Sequence, residues 1–154
     1  WGAHFTDWIL NIVHGKIDWV SGYQVKNKEW KSYTNEDHSE YSMRFDNGTI
    51  VTLTISNLSM SGRPKWRVLG ERGSIEHVGE NFQVNTLING RKMLTEVPFE
   101  QSDWHAYYQN IYKHLLGRAK LIITPESAAR VIGVLEASNI SASRKSQPVK
   151  PEFV

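Results

Sequence analysis

The 154-residue sequence contains no cysteine, only five prolines, and no apolar run near the roughly 20 residues that span a bilayer. Without cysteine the chain can form neither a disulfide nor a thiolate site, which fits a reducing compartment, so we predict a cytoplasmic protein. The net charge of +2 is spread along the sequence, which argues against a nucleic-acid partner, and no membrane partner is expected. A hydrophobic content of 40% with 22% charged residues suits one globular domain.

The first eight residues place a histidine and a carboxylate three positions apart at the head of a helical pattern. Apolar residues recur there at spacings of three and four, which predicts one buried helix face: Phe5, Ile9, Ile12 and Val13. His4 and Asp7 point in a different common direction, so the pair can face a cleft while the apolar stripe packs. A surface or core histidine is the alternative to a catalytic one. For Asp7, the alternative is a first-turn acid that favours the helix dipole.

The middle of the chain alternates apolar and polar residues, as antiparallel strands do. A strand over 17–26 precedes a polar loop over 27–36, whose Trp30 and Tyr33 could line a site. Alternation on both sides of Asp46-Asn47-Gly48 predicts a hairpin, and Asn89-Gly90 predicts the type I′ turn of another hairpin over 82–97. Short strands over 64–70 and 74–78 lie between these hairpins.

Two helices and an extended tail are predicted after the strands. Ser102-Asp103 can cap the first helix, whose apolar stripe is Tyr108, Ile111, Tyr112 and Leu115. Thr124-Pro125-Glu126 opens the second, whose stripe is Ala128, Val131, Ile132, Leu135 and Ala142. Residues 143–154 contain two prolines and suit a short edge strand or an extended arm.

This order of elements predicts an α+β fold: one open, largely antiparallel sheet with helices packed on one face. The other sheet face mixes polar side chains with Trp66, Leu69 and Leu87. A face of this kind commonly pairs with a copy of itself, so we predict a homo-oligomer formed through the sheet. The alternative is a solvated face with scattered apolar residues.

Four segments, in this order, resemble the C-terminal domain of the glucose–fructose oxidoreductase/inositol dehydrogenase (Gfo/Idh/MocA) family. Trp1-Gly2-Ala3-His4-Phe5-Thr6-Asp7 is similar to the family motif Asp-Trp-Gly-Pro-His-x-x-Asp from its second position onward, with Ala3 in place of the frequent proline. The other similar segments are the hairpin at Phe45–Thr49, the strand-turn-strand at Val68–Ile75 and the helix that begins at Thr124. The resemblance covers essentially the whole chain.

The resemblance implies an enzyme larger than these residues. Family members bind NAD or NADP in an N-terminal Rossmann domain, which also holds a catalytic lysine. This chain has no Gly-x-Gly-x-x-Gly at a strand-to-helix turn and so no place for the pyrophosphate. We therefore expect residues 1–154 to form a substrate-binding and oligomerisation domain that binds no cofactor and is inactive alone.

The resemblance also assigns roles to individual residues. His4 would be a general acid or base, or would orient a substrate hydroxyl, because a histidine titrates near neutral pH. Asp7 would accept a hydrogen bond from a substrate hydroxyl or would orient the site from behind. Arg63, with Lys65 nearby, would bind a carboxylate or phosphate of the substrate. The alternative is that both residues are solvated charges of a loop. His4 and Asp7 are too few ligands for zinc, so no metal is expected.

The leading functional prediction is the substrate-binding domain of an NAD(P)-dependent oxidoreductase that acts on a sugar, polyol or related carbonyl compound. Two alternatives stay open. One is a non-catalytic ligand-binding, regulatory or dimerisation module on the same fold, and the other is an NAD-dependent glycosidase.

Overall fold

A computed structural model of the chain describes residues 1–26, 32 and 34–152. The chain divides into two compact units, of which unit 1 comprises Trp1–Ser59 with Gly117–Val154 and unit 2 comprises Met60–Leu116. Most of the loop predicted over 27–36, including Trp30 and Tyr33, lies outside the described residues. The elements in chain order are α1 (Gly2–Ile12), β1 (Ile17–Val25), β2 (His38–Phe45), β3 (Ile50–Ser56), β4 (Arg67–Gly70), β5 (Gly73–Val78), β6 (Asn81–Ile88), β7 (Arg91–Pro98), α2 (His105–Leu115) and α3 (Pro125–Ser143).

Unit 1 is an antiparallel sheet in the order β1-β2-β3, with α3 packed on β1 and α1 packed on α3. The predicted alternation in β2 is confirmed, since Tyr41, Met43 and Phe45 are all buried. Polar side chains on the opposite face pair across the strands, where Thr54 Oγ1 donates to Glu40 at 2.8 Å. The core of this unit is completed by side chains from β1 and both helices: Ile17, Val20, Ile9, Leu10, Val131, Val134 and Ala137.

Helix α3 begins as the sequence predicts but buries a different face. Thr124 is its N-cap, and it forms a capping box with Ser127, whose backbone N–H lies 3.2 Å from Thr124 Oγ1. Ile132, predicted to be core, is exposed. The buried residues are mostly small: Val131, Gly133, Val134, Ala137, Ser138 and Ser141. A stripe chosen by large apolar side chains misses this face because Ser138 and Ser141 make close contacts with Gly22 on β1.

The C-terminal tail adds a short edge contact to the sheet of unit 1, as predicted. Val149 forms an antiparallel bridge with Val20, and its N–H donates to the Val20 carbonyl at 2.9 Å. Ser21 Oγ donates to the Ser146 carbonyl at 2.8 Å just beside this bridge.

Unit 2 is a four-stranded antiparallel sheet in the order β4-β5-β6-β7, together with α2. Asn89 and Gly90 both have positive φ, which confirms the predicted type I′ turn. The N-cap of α2 is Trp104, which makes no side-chain cap hydrogen bond, so the cap predicted at Ser102-Asp103 is wrong in position. Asp103, one residue earlier, still accepts a hydrogen bond at Oδ1 from the His105 N–H at 2.9 Å. The apolar stripe predicted for α2 is wrong as a core face, because α2 contains no buried residue.

The sheet of unit 2 has one apolar and one mixed face. The register places Val68, Ile75 and Val84 side by side on the first face, where Met93 and Val97 also lie. Leu69 and Leu87 lie on the second face, with the Arg67–Glu76 ion pair. Leu69 and Leu87 therefore share a mixed face with polar side chains, as the sequence predicted. The more apolar set lies on the opposite face, because side chains alternate along a strand.

The predicted fold class is confirmed: the chain is α+β with open antiparallel sheets. The described strands form two sheets of three and four strands, where the sequence predicted one. None of the helices in the described ranges is long and apolar enough to cross a membrane.

Candidate functional site

Helix α1 presents His4 on its solvent side. Thr6, Ile9 and Leu10 form its buried face, whereas His4 is exposed. The predicted stripe was partly wrong, since Ile12 is 57% exposed and Leu10 is buried instead. The predicted and the observed buried faces share Ile9 and differ by a small rotation about the helix axis. The sequence did not predict the observed buried face because Thr6 is polar, and a hydrophobic pattern does not count a polar residue as part of the core.

Two indole rings flank the His4 imidazole. The Trp1 and His4 ring centroids are 5.9 Å apart, and those of His4 and Trp8 are 6.5 Å apart. Trp1 is 78% exposed. His4 thus sits within an aromatic surface on the outward side of α1, where a ligand or a further part of a longer protein could reach its ring nitrogens.

Asp7 lies one turn after His4 and is half-buried. It is the sixth residue of α1, and the first turn of the helix contains no acid. The helix-dipole interpretation of Asp7 is therefore wrong. The Asn11 amide donates to the Asp7 backbone carbonyl at 2.9 Å. The Asp7 carboxylate forms no hydrogen bond or ion pair with any residue that the structure describes, so it can accept one from a ligand.

A buried hydrogen bond ties α1 to the sheet directly beneath these residues. Thr6 Oγ1 donates to the Gly2 carbonyl at 2.6 Å and also bonds the Tyr41 hydroxyl on β2. Burial raises the pKa of Tyr41 to about 12, so its hydroxyl keeps its proton across the physiological range. Sequence patterns gave no sign of this contact, which joins residues 35 positions apart.

Arg63 and Lys65 lie in unit 2, in the segment before β4, and both are exposed. Trp104 and His105, at the start of α2, are exposed in the same unit. The structure therefore brings His4 and Asp7 together on one helix of unit 1, whereas Arg63 belongs to unit 2.

Unit 2 contains an open concavity of about 700 Å³ that the sequence did not predict. Its floor is largely apolar and includes Val68, Ile75 and Val84, and the β4–β5 turn residues Glu71 and Arg72 stand at its rim. None of His4, Asp7 and Arg63 lines it. The sequence signal for this concavity was the pair Gly70 and Gly73, because glycines leave the ends of β4 and β5 without side chains.

The described residues contain neither a cluster of metal-ligating side chains nor a parallel strand–helix–strand unit. No group of three or more His, Asp or Glu side chains that could hold a metal occurs among them. All of the paired strands are antiparallel. A parallel strand–helix–strand unit, whose helix N-terminus receives a pyrophosphate, is therefore missing from the described ranges.

Comparisons with known proteins agree with the resemblance seen in the sequence. A model of the GFO/IDH/MocA C-terminal domain matches residues 1–76. A search of curated protein sequences finds no significant match.

Solved structures with this fold include an NAD-binding protein from Listeria innocua, with a TM-score of 0.81 and 18% identity over 98% of this chain and 46% of that protein. A levoglucosan dehydrogenase in complex with NADH and levoglucosan has a TM-score of 0.78 and 16% identity over 99% of this chain and 50% of its own. The WlbA dehydrogenase from Bordetella pertussis, in complex with NADH and UDP-GlcNAcA, has a TM-score of 0.68 and 19% identity over 96% and 43% of the two chains. This chain thus spans about half the length of these structures.

Proposed function

We propose that this chain, whose residues 1–76 match the GFO/IDH/MocA C-terminal domain model, is the substrate-binding domain of an NAD(P)-dependent oxidoreductase that acts on a sugar, a polyol or a related carbonyl compound. The observation that carries the proposal is the position of His4. It is exposed in the first turn of a helix whose opposite face is held by buried contacts. Such a histidine can be rigidly aimed at a substrate and still exchange protons.

The chemistry of this reaction class gives His4 a defined task. Oxidation of a carbinol removes a hydride from carbon and a proton from oxygen, and a nicotinamide takes the hydride. A base within hydrogen-bond reach must take the proton, and in the reverse direction an acid must return it. We assign this proton to His4, and we assign a hydrogen bond from a neighbouring substrate hydroxyl to the Asp7 carboxylate. Arg63 is proposed to bind the anionic group of substrates that carry a carboxylate or phosphate.

The cofactor would be held outside this chain. Antiparallel strands and the lack of a glycine-rich strand-to-helix turn give the described residues no dinucleotide cradle. NADH is bound in the levoglucosan dehydrogenase and WlbA structures. We therefore propose NAD or NADP as the cofactor of the longer protein, with residues 1–154 inactive by themselves. A cytoplasmic location, suggested by the cysteine-free sequence, is part of the same proposal.

A hydride-transfer assay of the full-length protein tests this function. Levoglucosan, UDP-GlcNAcA, myo-inositol and glucose are each mixed with protein and NAD⁺ or NADP⁺, and the absorbance of reduced nicotinamide is followed. We expect turnover of at least one compound by the full-length protein and none by residues 1–154. Release of free sugar from a glycoside, without net change in NADH, would favour the glycosidase alternative. Ligand binding with no turnover would favour the non-catalytic module.

We further propose that the chain self-associates through the apolar face of the unit 2 sheet. Val68, Ile75, Val84, Met93 and Val97 share this face, and most of them remain substantially exposed. A contiguous apolar sheet face of this kind is typical of an interface between copies.

Two neighbouring substitutions test this interface. Met93 on the apolar face is 48% exposed, and Leu94 on the opposite face is 56% exposed, so the two sites differ mainly in the direction of the side chain. We expect Met93→Glu to shift the full-length protein toward the monomer in sedimentation velocity, because a carboxylate would be desolvated at the interface. Leu94→Glu is the matched control and should leave the assembly unchanged. Equal sedimentation of both variants and the wild type would contradict the proposed interface.

A further inference from the structure

A buried pair of hydroxyl groups joins helix α1 to the sheet, and the hydrogen atoms of this pair can be assigned. Thr6 has one hydroxyl hydrogen, and the 2.6 Å contact to the Gly2 carbonyl uses it. Thr6 Oγ1 can therefore only accept from Tyr41, so the Tyr41 O–H is the donor in the Thr6–Tyr41 bond. Both residues are almost completely buried, at 0% and 3% exposure.

The location of this bond sets its consequence for the site. Thr6 follows His4 by two residues and immediately precedes Asp7, while Tyr41 stands in the middle of β2, the central strand of its sheet. The other buried residues of α1, Ile9 and Leu10, have apolar side chains, and burial of such side chains is not directional. A hydrogen bond is directional, and it can therefore restrain the rotation of α1 about its own axis.

A small rotation would be enough to matter. Helical side chains extend about 6 Å from the axis, so a rotation of about 10° displaces the His4 imidazole by about 1 Å. A displacement of this size can lower a catalytic rate about 100-fold, since proton transfer needs the acid or base within hydrogen-bond reach.

We infer that Tyr41 is a positioning residue for the reaction: by donating its hydroxyl hydrogen to Thr6, it locks the rotation of α1 and aims His4 and Asp7 at the substrate. The inference rests on the proposed function for the identity of the reaction. The Thr6–Tyr41 hydrogen bond does not depend on that identity, because it is a feature of the described structure. Because the phenol is buried and stays protonated, the donor is present at every pH at which such an enzyme works.

Amide hydrogen exchange of the full-length protein tests the lock without reference to any substrate. In Tyr41→Phe, which removes only the hydroxyl, we expect the amides of α1 to exchange about tenfold faster, while those of β1 and α3 keep their rates. Thr6→Val should give the same local pattern, and Thr6→Ser, which keeps the hydroxyl, should restore the wild-type pattern. Tyr23→Phe is the matched control, since Tyr23 is 56% exposed. Unchanged exchange in α1, or an equal increase in all three elements, would overturn the inference.

Steady-state kinetics test the consequence, with whichever compound the assay above shows to be turned over. Tyr41→Phe and Thr6→Val should lower kcat by about 10- to 100-fold and change KM less than threefold, whereas Thr6→Ser and Tyr23→Phe should stay near wild type. Local loosening of α1 with unchanged kcat would overturn the positioning role. If the wild-type protein turns over no compound, the proposed function fails, and the exchange measurement still decides whether Tyr41 locks the helix.

Discussion

Replacing His4 by asparagine in the full-length protein should lower kcat for hydride transfer by about 100- to 10,000-fold, the usual contribution of a positioned general acid or base. Asparagine keeps a polar side chain of similar size but cannot exchange a proton. His4 is exposed, and the contacts of its ring with the described residues are those with Trp1 and Trp8, so the substitution should leave the free energy of unfolding nearly unchanged. The measurement is kcat and KM at several pH values, with thermal unfolding of the same samples.

His14→Asn is the matched control for this substitution. His14 is also exposed and follows the same helix, and its only described hydrogen bond is accepted by its backbone carbonyl from the Asn47 amide at 2.9 Å. This variant should keep wild-type kinetics. A His4→Asn enzyme with at least half of the wild-type kcat would remove His4 from the proton transfer, and the assignment would then have to pass to a residue outside this chain.

Replacing Gly22 by alanine should destabilise the protein by about 3 kcal/mol, near the upper end of the usual effect of overpacking. A Cβ on Gly22 would lie 2.2 Å from the Ser138 carbonyl oxygen and 2.7 Å from Ser138 Oγ. These atoms belong to α3, so the helix and β1 must separate to admit the methyl group. In a protein of this size, the loss corresponds to a fall in Tm of about 6–12 °C.

The reason for glycine at this position is proximity and not backbone conformation, because the φ of Gly22 lies outside the left-handed region. Gly62→Ala is the matched control, since a Cβ there meets nothing within 4 Å and its φ is also outside that region. The control should change the unfolding free energy by less than about 1 kcal/mol. Equal melting temperatures of Gly22→Ala and wild type would mean that α3 does not depend on this close approach.

Local chemistry made much of the fold predictable. The type I′ turn at Asn89-Gly90, the alternation through Tyr41 and Met43 and the cap at Thr124 each depend on a few adjacent residues. Such features need no information from distant parts of the chain, because they follow from allowed backbone angles, side-chain direction and a local hydrogen bond.

Packing between distant segments was harder to predict. The buried faces of α1 and α3 were misplaced because the contact residues include Thr6, Ser138 and Ser141, which do not read as core in a pattern of large apolar side chains. Ser141 is buried because its hydroxyl accepts from the Gly22 N–H at 2.9 Å and donates to the Gln147 carbonyl at 2.6 Å. A polar residue is stable in a core when its hydrogen bonds are satisfied, and one of the partners of Ser141 is 119 positions away on β1.

In the candidate site, too, some features depend on local sequence and others on contacts between distant residues. The sequence by itself determined the order of strands and helices, their turns and caps, and the placement of His4 and Asp7 on one helix, because these are set by neighbours along the chain. The tertiary structure alone decided which face of that helix meets water and how Tyr41 fixes it. It also decided which face of the second sheet is apolar, since burial and register are set by residues that are far apart in sequence and adjacent only after folding.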